Sequence, residues 1–595
     1  MRKNKGRNRN AAGTLLVVSI LLIAIGFFSK CSLFNRPDRG NAVTIRLTAE
    51  PEKLNPLISE DGNTVQVTGN IFMTLLDFDA KTLELVPFLA KNRPTITVID
   101  TGVNKGGVLY TYQIRDGAVW DNGSPVTASD YIFTVKAVMN KLSGANNFRS
   151  GLDFIRDITI DAKNPKKFTI IADKAYILSE TNSGTLPVLP EYIYDAGGLL
   201  KKYSIQELSK TLKDTASVKG ELAQFATQFQ SPKFSRDTAG VSGCNAYALD
   251  EWIDGQKLVL KKKKNWWGDK TSQKIPILTN LPDKIIFKPV KDEVAALSLL
   301  KNQELDVASK ISPKAFLELQ KNDSTKENYT FLNPPAFSIA YIGINTKDPK
   351  LSDKRVRRAL TYLADPPTYI TKIMSGFAEP CAGPFVPQRP YYNKNVDAVT
   401  TNLERAKILL ADAGWINTNG DSTVDKDIAG KKTELVLRYV YASQNALAKN
   451  IGVLFQENAK KAGVGIILQG LDDKVVKENL KKRDFDLFLS SAGFSPSLDD
   501  PKEMWSTSSN TPDGANRFQF GDANSEALIQ QIRAELNPEK RNQLYAEFQK
   551  LIGDEAPAIF LFEPKERLLI HKRFVAETTA KRPGYVLGLF RLATK

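Results

Sequence analysis

The stretch YQIRDGAVWDNGSPVTASD, residues 112–130, carries the signals of a strand, two turns and a helix, one after another. Apolar and polar side chains alternate from Tyr110 to Arg115, which predicts a half-buried strand. The Asp-Gly and Asn-Gly pairs that follow are typical of tight turns. Thr127 with Asp130 three residues later resembles a capping box. We therefore expect a helix to begin at this threonine.

Similar signals extend outward from this stretch. Val43–Leu47 alternates as a strand and runs into Glu50–Leu57, where two prolines force an extended loop. The spacing of the apolar residues in Val65–Phe78 predicts a helix that carries them on one face. Strands and helices thus alternate through the first part of the chain.

The same order of motifs continues to the other end of the chain. It includes Gly243–Tyr247, Asn265–Trp267, Glu304–Val307, Tyr341–Asn345, Val356–Leu360, Ala406–Trp415 and Phe485–Leu487. Taken in order with residues 112–130, the series resembles the bacterial extracellular solute-binding protein family 5. This family contains peptide- and nickel-type ABC transporter substrate-binding lipoproteins, among them dipeptide- and oligopeptide-binding proteins.

The resemblance implies an α/β protein of the periplasmic-binding-protein type II (Venus flytrap) class, with three lobes and a discontinuous first lobe. Lobe I would comprise 41–66, 178–310 and 558–595, lobe II the inserted residues 67–177, and lobe III residues 311–557. The length of 595 residues agrees with several compact units, because single cores seldom grow so large.

The N-terminus has the pattern expected of an export signal. The chain has a net charge of +16, and six of its lysines and arginines lie within residues 1–30. They flank the apolar run Leu15–Phe28. The run is shorter than the roughly 20 residues of a spanning helix, which favours a signal peptide. Cys31 follows the run as in a lipobox and is the expected lipidation site. Small residues usually precede a lipobox cysteine and Lys30 is not small, so an uncleaved membrane anchor stays open as the alternative. Residues 31–40 would be a linker, and either alternative places the rest in the periplasm or at the cell surface.

Cysteine and histidine are scarce. Beyond Cys31 there are only Cys244 and Cys381, which we expect to pair in a disulfide if folding brings them together, because exported proteins meet oxidising conditions. The single histidine, His571, lies in a polar run and is expected at the surface. These numbers leave too few residues for a Ser-His-Asp set or a histidine-based metal site. We expect no enzyme activity, no catalytic residue, no cofactor and no metal.

The resemblance also places the ligand site. Ala492, Gly493 and Phe494 would supply strand edges for a peptide backbone, and Asp499 or Asp500 would hold the ligand's ammonium. An alternative role for Asp499 is to cap the following helix. Further candidate ligand-binding residues are Asn55, Tyr247, Trp505 and Asn516.

The expected function is capture of a peptide between lobes and delivery to the permease subunits of an ABC importer. We expect a monomer, attached to the membrane through its N-terminus, that binds no nucleic acid, since the lysines are dispersed. Two alternatives stay open. One is another solute on the same fold, such as a nickel complex or an oligosaccharide. The other is a secreted scaffold that has lost solute delivery, because Cys244–Ala246 departs from the family pattern.

Overall fold

The structure, a computed structural model, describes residues 39–59, 61–209, 220–396 and 398–594. Residues 43–595 form one compact unit. Cys31 and the apolar run before it lie outside the described residues.

The strands are numbered β1 to β23 in chain order. The first seven are β1 Ala42–Leu47, β2 Leu76–Phe78, β3 Leu85–Pro87, β4 Thr95–Val98, β5 Val108–Gln113, β6 Ile155–Asp161 and β7 Asn164–Ala172. The next seven are β8 Tyr247–Ile253, β9 Lys257–Lys262, β10 Lys284–Pro289, β11 Val307–Ala308, β12 Tyr329–Leu332, β13 Ser338–Ile344 and β14 Ala378–Pro380. The last nine are β15 Asp425–Ile428, β16 Lys431–Glu434, β17 Val436–Ala442, β18 Gly465–Leu471, β19 Leu487–Gly493, β20 Ala558–Pro564, β21 Leu568–His571, β22 Phe574–Val575 and β23 Arg591–Leu592.

The α-helices are identified by their residues. Those before residue 330 are Gly62–Thr68, Ala128–Met139, Asn146–Leu152, Ser179–Gly184, Glu191–Tyr194, Ile205–Ser209, Glu221–Phe229, Glu293–Lys301, Pro313–Lys321 and Asp323–Asn328. Those after it are Lys354–Leu363, Pro366–Thr368, Leu403–Asp412, Ala446–Lys461, Asp473–Lys482, Lys502–Trp505, Ala523–Ala534 and Pro538–Glu555. Short 3-10 segments and one π segment, Tyr369–Ile373, complete the helical structure of the described ranges.

A seven-stranded sheet in the order β12-β21-β11-β1-β10-β9-β8 is assembled from distant parts of the chain. Its strand β1 pairs in parallel with β11 at Ile45 and Val307. Val43, Ile45 and Leu47 are fully buried in this sheet's core. The predicted strand is confirmed, but Thr44 and Arg46 are buried as well, so both faces of β1 are covered and the alternation does not mark an exposed face.

A four-stranded antiparallel sheet, β4-β5-β7-β6, lies within residues 95–172. The helix Ala128–Met139 packs on it, with Tyr131 stacked on Phe168 at 4.9 Å between ring centroids. At the start of this helix the Thr127 N–H donates to Asp130 Oδ2 over 2.9 Å. This confirms the predicted helix start.

A six-stranded mixed sheet in the order β14-β20-β13-β19-β17-β18 is built from residues 338–564. Strands β19 and β20 flank β13 in antiparallel pairing, whereas β17 runs parallel to both β18 and β19. The helix Ala446–Lys461 connects β17 to β18, as a parallel pair requires.

Two local predictions are wrong. The helix expected over Val65–Phe78 ends at Thr68, because Gly69 caps it and Leu76–Phe78 is drawn into a hairpin with Leu85–Pro87. His571, expected at the surface, is buried, since β21 lies between β12 and β11 in the seven-stranded sheet. Both errors arise where a distant strand pairing overrides the local pattern.

Within the described ranges, none of the helices combines the length and the apolar character that crossing a membrane requires.

Candidate functional site

Two chain segments connect the seven-stranded and six-stranded sheets. One leads from β12 to β13 and the other from β20 to β21, and they run side by side. Ala336 N–H donates to Pro564 O over 2.9 Å, and Glu566 N–H donates to Pro334 O over 2.8 Å. A short paired connection of this kind allows two sheets to move relative to each other without breaking either one.

Strand β19 has an open edge next to this connection. On one side it pairs with β13 along its whole length, from Leu487 to Gly493. On the other side β17 pairs only with Leu487 and Phe488. From Leu489 onward, no described strand covers that second edge.

The direction of the backbone groups along this edge follows from the pairing. Phe494 N–H donates to Phe337 O over 2.8 Å, so Phe494 and every second residue before it face β13. Ser491 and Gly493 must then turn their N–H and C=O groups to the open side. Both residues are exposed, whereas Ala492 and Phe494 are half-buried. The strand edge expected at residues 492–494 is thus offered by Ser491 and Gly493.

Asp499 is bound by a guanidinium of the same chain. Arg389 Nη2 lies 2.7 Å from Asp499 Oδ1, and Arg389 Nε lies 3.1 Å from Oδ2. The Tyr391 hydroxyl donates to Asp499 Oδ2 over 2.7 Å. Burial raises the pKa of the Asp499 carboxyl, and the charge of Arg389 acts in the opposite direction. The carboxylate therefore belongs to a buried ion pair.

Asp500 is engaged in the same way by different partners. Arg533 Nε and the Tyr176 hydroxyl each donate to Asp500 Oδ2 over 2.9 Å. Ile177 N–H also donates to Arg533 O over 2.9 Å. A ligand ammonium at Asp499 or Asp500 would compete with a bound arginine, and the ammonium role of these residues stays a prediction.

The other predicted ligand residues are held by internal contacts. Asn55 donates to Phe229 O, and the Tyr247 hydroxyl donates to Pro282 O over 2.8 Å. Trp505 is 3% exposed and stacks on Phe518, with the ring centroids 4.9 Å apart. Asn516 is fully buried and donates to the carbonyls of Ser506 and Phe520. Asn55 and Tyr247 thus order segments of the seven-stranded-sheet region, and Trp505 and Asn516 order the segment after β19. A direct role of any of the four toward a ligand stays a prediction.

The expected disulfide is not formed. Cys244 and Cys381 are both free and buried, and they belong to different hydrophobic clusters. Burial raises the pKa of the Cys244 thiol to about 12. Cys244 is packed in an apolar cluster, and Cys381 Sγ donates to the carbonyls of Gly383 and Phe385 over 3.6 Å and 3.5 Å. The lipidation site expected at Cys31 lies outside the described residues.

Within the described ranges, His, Cys, Asp and Glu side chains form no group of three or more that could hold a metal ion.

Sequence reasoning missed three residues that the structure brings to this region: Arg389, Ser491 and Arg582. Arg389 is separated from Asp499 by 110 residues, and Arg582 reaches the face of β19 from beyond β20 and β21. Only the alternation within β19 could have indicated Ser491, once its pairing partner was known. Nothing in the local sequence marks the two arginines.

The comparisons with known proteins agree on one family and one fold. The model of the bacterial extracellular solute-binding proteins, family 5, matches residues 84–515. The oligopeptide-binding protein AppA of Bacillus subtilis is 24% identical over 567 residues, which is 93% of this chain and 94% of AppA.

Solved structures extend the likeness to three dimensions. The structure of AppA from Bacillus subtilis with a nonapeptide aligns with a TM-score of 0.65 at 21% identity, covering 94% of this chain and all of that one (100%). NikZ from Campylobacter jejuni in complex with Ni(L-His) aligns with a TM-score of 0.65 at 22% identity, covering 92% and 97%. The chain therefore has the type II periplasmic-binding-protein fold.

Proposed function

The chain belongs to the bacterial extracellular solute-binding proteins, family 5, and from this we propose that it is the substrate-binding component of an ABC importer that captures peptides. The peptide would bind between lobes and be passed to a membrane permease. The proposal assigns the protein no catalytic step.

The observation that carries the proposal is the open edge of β19. Ser491 and Gly493 turn backbone donors and acceptors outward beside the connection between the sheets. An extended peptide can pair with such an edge whatever its side chains are, because the contacts are made by its main chain. Solved relatives that hold peptides, such as AppA of Bacillus subtilis with its nonapeptide, support the same class of ligand.

The three sheets support a division into three lobes, but two boundaries move in this proposal. β12 pairs with β21 in the seven-stranded sheet and so goes with lobe I, whereas β20 pairs with β13 in the six-stranded sheet and so goes with lobe III. In this proposal the paired segments around Ala336 and Pro564 act as the hinge. The N-terminus would export the protein and hold it at the membrane, either through a lipid on Cys31 or as an uncleaved anchor. If Cys31 is lipidated, Cys31→Ser should accumulate as an uncleaved precursor, and mature-sized protein from this variant would contradict lipidation.

The other candidate ligands can be compared with peptides on the residues that this chain offers. A nickel complex is bound by NikZ, but the single histidine of this chain is buried in β21 of the seven-stranded sheet, where its ring contacts Gln303. Peptide binding is therefore the better supported of the two. An oligosaccharide ligand and a scaffold without solute remain outcomes of the test.

The test measures binding directly. Small molecules that co-purify with the protein are identified by mass spectrometry, and peptide pools are then titrated calorimetrically and in thermal unfolding. We expect peptides to raise the melting temperature, since a ligand that binds only the folded state stabilises it. The matched control is the same peptides N-methylated along the backbone, which should bind weakly. Equal binding of both sets would contradict pairing at the strand edge, and no binding of either would contradict the peptide class.

A further inference from the structure

Two lysines lie directly opposite each other on neighbouring strands of the seven-stranded sheet. Lys284 at the start of β10 pairs in register with Lys261 on β9, and both side chains are exposed. Like charges in such positions repel each other and destabilise a sheet. Among the described residues, neither lysine has an ion-pair partner. The chain thus keeps two uncompensated positive charges side by side.

Two further lysines on the same face of these strands are compensated. Lys257 on β9 lies 2.7 Å from a carboxylate oxygen of Glu251, and Lys288 on β10 lies 3.2 Å from one of Glu304. Side chains four residues apart on a strand share a face, so all four lysines lie on one surface. The uncompensated charge is therefore confined to one end of that surface.

This end of the sheet is opposite to the connection between the sheets. Val290 N–H, just after β10, donates to Leu47 O at the end of β1 over 2.8 Å, so these adjacent strands run parallel. Lys284 therefore lies on the side where β1 begins. Strand β1 is also parallel to β11, which is antiparallel to β21, and β21 starts at the connection. We call the end where β1 and β10 begin the distal end.

The C-terminal segment of the chain crosses the distal end. Leu281 N–H donates to Gly588 O over 2.8 Å, which holds the segment next to the start of β10. Ala593 N–H donates to Arg573 O over 2.8 Å, which holds it just beyond the end of β21. Because β1 and β11 lie between β10 and β21, the segment passes the point where the chain enters β1.

Two exposed leucines and an arginine accompany the lysines at the distal end. Leu281 and Leu592 are 41% and 44% exposed, and Arg591 is exposed with no ion-pair partner in the part of the chain that the structure describes. Asp283 is also exposed, beside Lys284, so the charge of the group stays positive. We define the distal surface as Lys261, Lys284, Arg591, Leu281 and Leu592.

We propose that the distal surface docks on the anionic lipid headgroups of the membrane to which the N-terminus attaches the protein. The proposal rests on that attachment, which belongs to the proposed function. Each lysine or arginine close to an anionic membrane favours contact by about fivefold. Exposed apolar side chains among such cations are typical of membrane interaction sites.

The tether favours lipid over an acidic protein as the partner. The predicted linker, residues 31–40, spans at most about 35 Å when extended, and the chain after it enters the sheet at the distal end. Lipid is therefore always within reach of the distal surface. Docking would also hold the connection between the sheets, at the opposite end of β1, away from the membrane surface.

Amine labelling of the full-length protein in vesicles tests the proposal. The protein is reconstituted through its own N-terminus in vesicles of phosphatidylcholine, or of phosphatidylcholine mixed with phosphatidylglycerol, and mass spectrometry follows the acetylation of each lysine. We expect Lys261 and Lys284 to react about threefold or more slowly in the anionic vesicles, and high salt to remove the difference by screening the charges. Lys449, exposed in the helix Ala446–Lys461, should react equally in both.

Arg591→Glu should remove most of the protection, because it reverses one charge of the distal surface, whereas the control Lys449→Glu should leave it unchanged. Equal reaction of Lys261 and Lys284 in both kinds of vesicle, with the protein bound to both, would overturn the docking and leave the membrane attachment intact. Failure to bind the neutral vesicles would contradict the attachment, and the proposal with it. Protection in native membranes but not in protein-free anionic vesicles would overturn the lipid assignment in favour of an acidic protein.

Discussion

Arg389 and Asp499 form a buried, two-point ion pair, with side chains 4% and 14% exposed. Removing one partner leaves the other charge unpaired away from water, which costs about 3–5 kcal/mol. We therefore expect Arg389→Gln and Asp499→Asn each to lower the midpoint of chemical denaturation strongly. The double variant should recover part of the loss, because it buries neither charge.

Arg355 with Asp353 provides the control, since this pair is exposed at the surface. Arg355→Gln should change stability by less than about 1 kcal/mol. If Asp499→Asn left stability unchanged but abolished peptide binding, Asp499 would be a ligand residue and the ion pair would be incidental.

Tyr176 links the segment after β7 to Asp500 near the end of β19. Its hydroxyl donates to the same Asp500 oxygen as Arg533, and the guanidinium of Arg533 lies 5.0 Å from the Tyr176 ring centroid. Tyr176→Phe removes one hydrogen bond to a charged group and keeps the ring. We expect a lower melting temperature, by about 1–2 °C for roughly 1–2 kcal/mol in a chain of this size. An unchanged melting temperature would show that Arg533 alone satisfies the carboxylate.

Ser491 turns its N–H toward the open edge of β19, so a proline there removes a donor for the ligand and none for the ladder with β13. Proline is tolerated at such edge positions. We expect Ser491→Pro to weaken peptide binding about 3- to 10-fold, the value of one hydrogen bond, with little loss of stability. Ser491→Ala keeps the N–H and should bind as wild type does. Equal binding by the proline variant would mean that the peptide does not pair here.

Cys244 and Cys381 are free and buried, and the raised pKa of each thiol leaves almost no thiolate at neutral pH. We expect neither to react with iodoacetamide in the native protein and both to react in denaturant, as followed by peptide mass spectrometry. Reducing agents should not change the melting temperature. A disulfide-linked peptide pair in the mass spectrum would contradict the two free thiols.

The sequence predicted what local contacts determine and missed what distant contacts determine. Thr127 and Asp130 lie within one helical turn, so their capping box is visible in the sequence. The pairing of Ile45 with Val307 and the approach of Arg582 to Gly493 depend on the chain path between them. The family resemblance supplied the overall path, but not these contacts. The disulfide was mispredicted for the same reason. The number of cysteines in the sequence does not determine the distance between Cys244 and Cys381 in the fold.

Glu563 on β20 is an acid buried at the hinge, only 2% exposed, with Oε2 accepting from Gln388 over 2.8 Å. Burial raises the pKa of this carboxyl above its ordinary value, and the Gln388 hydrogen bond acts against that rise. The folded chain therefore holds the proton more tightly than the unfolded chain does. Its contribution to stability is fully present below the unfolded pKa and is lost as pH rises through the folded pKa.

Glu563→Gln replaces the acid by an uncharged side chain of the same shape. The variant therefore does not lose stability at this position as pH rises. We expect its melting temperature to be close to that of wild type near pH 4 and increasingly higher as pH rises toward 8. Glu304→Gln serves as the control, because it makes the same chemical change at an exposed site beside Lys288. A constant difference between Glu563→Gln and wild type across this range would mean that Glu563 does not titrate differently in the folded and unfolded chains.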